Sequence, residues 1–350
     1  MLNFAKKAIL LTLVAFLAVS FFACGNGGEP AEQSQPDINS NASSVPESSD
    51  IEQPLELPDV SYSYSEPSYT YNDNFLPEVP FAGIYNARSL KGYCTQSPNE
   101  KLYPASLTKM VTALTALKYC SADAVFKVGT ELNLVNEGSS IMWLGQGMRL
   151  SLEQLIYGLM LPSGNDAAYT IAVNVARSIQ GNEQLSDKDA VAAFAQLMND
   201  FCNEIGAADS HFVNPDGWDN ENHYTTVKDI ALIYSLGLKN PITSTAMATK
   251  QISFKTESGH KFNLTNSNLF LNEESRFFRQ DIVGGKTGTT NLAGACLVTV
   301  LSIENDNYIL ITAKCADNSS RYVHTSTLIE MAYRYHYAEE IYNPATQAGK

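Results

Sequence analysis

The chain has 350 residues, 44% of them apolar, enough for one large packed domain or two ordinary ones. Its 23 basic and 37 acidic residues give a formal charge of −14, which excludes the basic face that a nucleic-acid partner requires. The charge is uneven: Lys6 and Lys7 contribute +2 and residues 25–80 contribute −11, so residues 81–350 carry only −5.

The N-terminus reads as an export signal over residues 1–23. Lys6 and Lys7 form a positive n-region, and an apolar run follows to Phe22, interrupted only by Thr12 and Ser20. At about fifteen residues the run is short of the roughly 20 that a membrane span needs. It ends at Phe21-Phe22-Ala23-Cys24. A small residue before a cysteine there resembles the lipobox of bacterial lipoproteins, with Phe21 where Leu is usual. Cys24 is the expected lipidation site, which would tie the chain to the outer face of the cell membrane. Ordinary cleavage with secretion and an uncleaved anchor are the alternatives, and all three place the body outside the cytoplasm. Residues 24–80 read as an acidic linker. They hold eight of the 14 prolines and eleven acids with no base, a composition that cannot repay its ordering entropy by burial. A flexible segment of that length spans about 40 Å on average.

The body follows at residue 81. Residues 81–93 are apolar-rich with a short period and predict a strand pair. Pro104 stops the chain, and residues 106–120 turn helical, with Met110, Val111, Leu114 and Leu117 as a core stripe. Ser151-Leu-Glu-Gln154 is a capping box that opens a helix to about residue 161, where Pro162 and Gly164 break it. Residues 167–178 and 188–205 predict two more helices. Residues 281–285 predict a short strand ending in glycines, 296–303 and 308–315 a hairpin about Asn305-Asp306, and 325–337 a closing helix. Helices in the middle with strands on either side give an α+β pattern, a helical insertion interrupting an antiparallel sheet.

Several chemistries are excluded by motif. The sequence has no Gly-x-Ser-x-Gly elbow, no His-Glu-x-x-His, no phosphate-binding loop and no Gly-x-Gly-x-x-Gly. The five histidines lack metal-ligand spacing, so neither a metal nor any other cofactor is expected. What remains is a serine and a lysine. Ser106-Leu-Thr-Lys109 sets a hydroxyl and an amine on one face of a helix start. A serine is a weak nucleophile unless a neighbour takes its proton, and a lysine can do so when burial or a second cation lowers its pKa. Ser258-Gly-His-Lys261 repeats that spacing in a polar stretch with no helix and is taken as chance. Ser163-Gly164-Asn165 sits at a break between two helices, where a hydroxyl and an amide can face a pocket. Ser97-Pro98-Asn99 shares the pattern but precedes Ser106. Lys286-Thr287-Gly288 occurs once, at a strand end whose glycines let a peptide lie along the edge. Its Lys and Thr suit a carboxylate.

Ser-x-x-Lys, Ser-x-Asn and Lys-Thr-Gly in this order resemble the penicillin-binding proteins and serine β-lactamases. The flanks resemble one branch, the low-molecular-mass D-alanyl-D-alanine carboxypeptidases. They are Pro104-Ala-Ser-Leu-Thr-Lys-Met110, Glu137-Gly-Ser-Ser140, Leu161-Pro-Ser-Gly-Asn-Asp-Ala167, Phe212-Val-Asn-Pro-Asp-Gly217 and Asp281-Ile-Val-Gly-Gly-Lys-Thr-Gly288. The resemblance implies a β-lactamase/DD-peptidase-like α+β fold, an antiparallel sheet flanked by helices with a helical subdomain. It spans a catalytic domain over residues 81–340, with 341–350 as a tail. It implies Ser106 as nucleophile, Lys109 as base and Ser163 as proton shuttle. Asn165, Lys286, Thr287, Gly288, Thr289 and Arg321 would bind substrate, with the backbone N–H groups of Ser106 and Thr289 as the oxyanion hole. The implied substrates are peptidoglycan stem peptides ending in D-Ala–D-Ala, and β-lactams are the implied inhibitors. Alternatives on the same fold are a D,D-endopeptidase, a serine β-lactamase or a non-catalytic β-lactam sensor. No Glu between Ser163 and Lys286 stands four residues before an Asn, which disfavours the β-lactamase. Two departures accompany the resemblance. Asp216 stands where the pattern carries His, an exchange expected to alter only a loop. The β-rich C-terminal domain and terminal amphipathic helix of many members are not expected, since only thirteen residues follow Tyr337, and anchoring is assigned to Cys24 instead.

Cysteines give one more expectation. Cys296 and Cys315 are equidistant from the Asn305-Asp306 turn, which places them opposite each other in the hairpin. They form either a cross-strand disulfide or two buried thiols.

Overall fold

The computed structural model describes residues 75–342. The export signal, Cys24 and most of the acidic segment lie outside the described residues, as does most of the tail. The first described residues already belong to the body and correct the expected boundary at 81. Val79 is fully buried and Leu76 nearly so, and the Gln96 amide donates to both of their carbonyls. Two apolar residues three apart are too few to stand out at the end of a polar stretch.

Strands β1 (Phe81–Asn86) and β2 (Gly92–Gln96) form the antiparallel pair expected from their composition. A 3-10 turn, Ala105–Thr108, then runs directly into α1 (Lys109–Tyr119). The short ribbon β3 (Val125–Lys127) and β4 (Arg149–Ser151) leads into α2 (Leu152–Met160), opened by the Ser151–Gln154 capping box. Helices α3 (Asn165–Gln180), α4 (Asp187–Ile205), α5 (Val227–Lys239) and α6 (Pro241–Ala248) follow, then a hairpin of β5 (Gln251–Lys255) and β6 (Lys261–Thr265). The chain returns to the sheet as β7 (Ile282–Thr290), β8 (Gly294–Ile303) and β9 (Asp306–Cys315), and ends on α7 (Ser320–Tyr342). The strand order is β2-β1-β9-β8-β7, antiparallel throughout, so β7 is an edge strand. This is the α+β architecture expected, with the helical insertion entering after β2 and leaving before β7.

The sheet is covered on both faces, and the period-2 alternation of its strands decides which residue meets which layer. In β9, Ile309, Ile311 and Ala313 join the core shared with the inserted helices, while Tyr308 and Leu310 join the core under α7; Lys314, at φ +61, interrupts the alternation and turns Cys315 to the α7 side as well. Helix α1 is not the one-sided helix that its stripe implied. Every residue from Lys109 to Leu117 is buried, including Thr112 and Thr115, because α1 is the central helix of the inserted layer.

Two local readings are corrected. The strand expected over 281–285 continues through the glycines and the Lys286-Thr287-Gly288 motif to Thr290. The hairpin pairs Ile303 with Asp306, so its turn is Glu304-Asn305, one residue earlier than expected, and Glu304 takes the left-handed conformation at φ +53. A bulge between Ala295 and Leu297 then sets Ala295 opposite Cys315. Cys296 faces the inserted helices and Cys315 faces α7, and both are free thiols. Alkylation of the denatured, unreduced protein is therefore expected to tag both residues in peptide maps; a Cys296–Cys315 linked peptide would overturn this register.

Candidate active site

Ser106 lies within the 3-10 turn, one helical turn before Lys109, the first residue of α1. The turn is strained: Ala105 has φ +49, a left-handed conformation uncommon for a residue with a side chain. Neighbours hold it there. The backbone of Gly217 packs directly on the Ala105 carbonyl. The Thr108 hydroxyl bonds the buried His223 Nε2 at 2.8 Å, and His223 Nδ1 accepts from the Val213 N–H. Burial depresses His223 to a pKa of about 3, so it braces the turn as a neutral ring.

Lys109 is fully buried. Its ammonium donates to Ser106 Oγ at 2.7 Å, to Asn165 Oδ1 at 2.8 Å and to the Asp216 carbonyl at 2.7 Å. Desolvation lowers its pKa to about 8, against the opposing pull of the Asp216 and Asp166 carboxylates. A lysine so placed is a base within hydrogen-bond reach of a serine.

The break between α2 and α3 supplies the second group. Ser163 has φ +65 and is buried, and its Oγ accepts from Lys286 Nζ at 2.8 Å. Asn165 opens α3, and its amide donates to Ser139 Oγ at 2.9 Å. Both carboxylate oxygens of Asp166 are occupied by backbone N–H groups, those of Met142, Ala167 and Leu144, which clamps the 139–144 loop against the start of α3.

Strand β7 supplies the third. Lys286 is buried, and burial lowers its pKa well below the ordinary lysine value, with the charges of Lys109 and Arg321 acting in the same direction. Thr287 Oγ1 shares a 2.7 Å hydrogen bond with Ser267 Oγ. Gly288 has no room for a side chain: a β-carbon there would lie 3.0 Å from both the Ser106 nitrogen and the Ala105 side chain. The β7 backbone therefore passes directly against the turn that carries Ser106. Arg321, near the start of α7, is buried and donates to the Gly288 carbonyl, Thr289 Oγ1 and the Cys296 carbonyl at 3.1–3.3 Å.

The structure thus brings together Ser106, Lys109, Ser163, Asn165 and Lys286, with Thr287, Gly288, Thr289 and Arg321 along the adjoining strand and helix. The duplicate motifs stand elsewhere, Ser258 and Lys261 at the β5–β6 hairpin and Ser97 with Asn99 in the turn after β2. Sequence reasoning missed Asp166, Ser139 and Ser267 as supports. It also missed the backbone of Asp216, whose carbonyl accepts from Lys109 Nζ and whose side chain is buried. Among the described residues no group of three or more His, Cys, Asp or Glu is arranged to hold a metal ion.

A family model described as D-alanyl-D-alanine carboxypeptidase matches residues 86–316. The chain belongs to that family. Curated relatives include D-alanyl-D-alanine carboxypeptidase DacF of Bacillus subtilis, 26% identical over 71% of this chain and 60% of the relative. D-alanyl-D-alanine carboxypeptidase DacA of Escherichia coli is 32% identical over 61% of this chain and 51% of the relative. The chain therefore spans between half and three-fifths of the length of these two relatives. Among solved structures, a Streptomyces DD-transpeptidase superposes with a TM-score of 0.66 at 24% identity, covering 77% of this chain and 99% of that one. A D-alanyl-D-alanine carboxypeptidase from Mycobacterium tuberculosis superposes at 0.63 with 20% identity, covering 73% and 91%. These two likenesses establish the fold that the family shares.

Proposed function

We propose that the protein is a serine-type D-Ala–D-Ala carboxypeptidase that removes the terminal D-alanine from peptidoglycan stem pentapeptides through an acyl-enzyme. The observation that carries this reading is the pair of buried lysine–serine contacts, Lys109 on Ser106 and Lys286 on Ser163, beside an unpaired strand edge. A peptide that adds along the free edge of β7 brings its last amide carbonyl, that of the penultimate residue, past Ser106. Ser106 Oγ attacks that carbonyl while neutral Lys109 accepts the hydroxyl proton. The oxyanion is assigned to the N–H groups of Ser106 and Thr289, which the close approach of Gly288 to the Ser106 nitrogen supports. Ser163, polarised by Lys286, relays the proton that Lys109 took up to the departing D-alanine nitrogen, which returns Lys109 to its neutral form. The C–N bond breaks and an ester to Ser106 remains. Water then attacks the ester, gives up a proton to the base and releases the shortened peptide. Thr287 and Arg321 are assigned to the terminal carboxylate.

A β-lactam presents a strained amide to the same nucleophile and would acylate Ser106. The N-terminal features extend the reading: cleavage after residue 23, lipid on Cys24 and an acidic tether would hold the domain outside the cytoplasm at the membrane. The expected result is stoichiometric D-Ala release from a stem pentapeptide, with little cleavage of crosslinked dimers. Dimer cleavage at a comparable rate would make the enzyme an endopeptidase, and rapid nitrocefin turnover would make it a β-lactamase.

A further inference from the structure

Asp216 follows a proline in the 212–217 turn, and this turn touches the proposed machinery at three points. Its carbonyl accepts from Lys109 Nζ, the Pro215 carbonyl accepts from the Thr112 hydroxyl at 2.6 Å, and Gly217 packs on Ala105. Asp216 itself is 1% exposed. One carboxylate oxygen accepts from the Trp218 N–H at 3.3 Å, and the other is buried with no hydrogen-bond partner. An isolated buried carboxylate is costly unless a positive charge stands nearby.

The groups around it come from several elements. Burial pushes the Asp216 carboxyl up, and the positive Lys109 from α1 and the Trp218 N–H pull it back towards the charged form; Tyr169 from α3 carries a phenol pushed up by burial and then by the Asp216 charge. Lys109 also faces Asp166 from α3, Lys286 from β7 and the neutral His223. Asp166 is committed to three backbone N–H groups, so Asp216 is the carboxylate with bonding capacity to spare.

We propose that Asp216 is a positioning residue whose buried carboxylate stabilises the ammonium form of Lys109, and so sets both the strength of that base and the pH range in which Ser106 is acylated. The inference rests on the carboxypeptidase reading. Burial disfavours charge on Lys109, and unopposed it would leave a weak base. The Asp216 carboxylate works the other way. The sign follows: without that negative charge Lys109 loses its proton at lower pH, and the neutral amine is a poorer acceptor.

The test is the rate of acylation by a fluorescent penicillin between pH 5 and 10. Wild type, Asp216→Asn and Asp216→His are compared; the last restores the residue that the family pattern carries at this position. Wild-type acylation should rise with pH towards the Lys109 pKa. Both variants should show that rise displaced to lower pH by about one unit, with a lower plateau. A role confined to holding the turn would lower the rate and leave the displacement at zero, and that result overturns the proposal. If Asp216→Asn does not fold, Asp216→His decides alone. A wild-type protein that takes no label would overturn the carboxypeptidase reading instead.

Discussion

Ser106→Ala is expected to take up no covalent label from a fluorescent penicillin, and Lys109→Ala to be labelled about 10⁴-fold more slowly than wild type. The two effects have different origins. The first variant lacks the atom that forms the ester. The second retains it but leaves no base within reach, because Asn165 and the Asp216 carbonyl, which share the Lys109 ammonium with Ser106, cannot take a proton at neutral pH. Lys109→Arg separates base catalysis from simple charge. Arginine retains the positive charge and the donor capacity, but its guanidinium does not deprotonate in proteins. If Lys109 acts as a base, Arg should be as slow as Ala; if it acts only as a fixed charge, Arg should recover most of the rate. Peptide mapping of the labelled protein places the adduct, and label found outside Ser106 would sink the assignment of the nucleophile.

Local features of this site were legible in the sequence, and long-range ones were not. Ser106 and Lys109 are three residues apart at a helix start, so their meeting follows from helical geometry alone. Ser163 and Asn165 stand at a break announced by Pro162, and the Ser151 capping box marks where the preceding helix begins. The grips on Lys109 are another matter. Asn165 is 56 residues away and Asp216 is 107, and Asp216 acts through a backbone carbonyl that no side-chain pattern encodes. The positive φ angles of Ala105 and Ser163 are equally silent, since nothing in either residue type asks for the left-handed region. The fold divides in the same way. The hairpin of β8 and β9 was read from its apolar runs, but its bulge was not, and one extra residue was enough to put Cys296 and Cys315 on opposite faces. The small ribbons and helices α5 and α6 escaped because the reading followed motifs, and these elements carry none.

Gly217→Val is the substitution expected to cost most in stability while changing the identity of no proposed catalytic side chain. Gly217 has φ +88, and a β-carbon there would sit 1.8 Å from the Ala105 carbonyl oxygen and 2.9 Å from Thr108 Oγ1. The first of those atoms is backbone in a strained turn, so the overlap can be relieved only by moving the turn or the 212–217 segment. The left-handed conformation and the overpacking together should lower stability by about 2–5 kcal/mol. A displacement of about 1 Å at the nucleophile should slow acylation by about 10²-fold. Gly181→Ala is the matched control. Gly181 ends α3 at φ +60 with nothing within 4 Å of its would-be β-carbon. It should carry the conformational cost, about 1–2 kcal/mol, and leave acylation unchanged. Thermal melts and labelling rates on the two variants separate the contributions. If Gly217→Val lost stability but acylated at the wild-type rate, the 212–217 segment would be a scaffold that the nucleophile does not feel. If it lost both, the contact of Gly217 with Ala105 would be part of what holds Ser106 against Lys109.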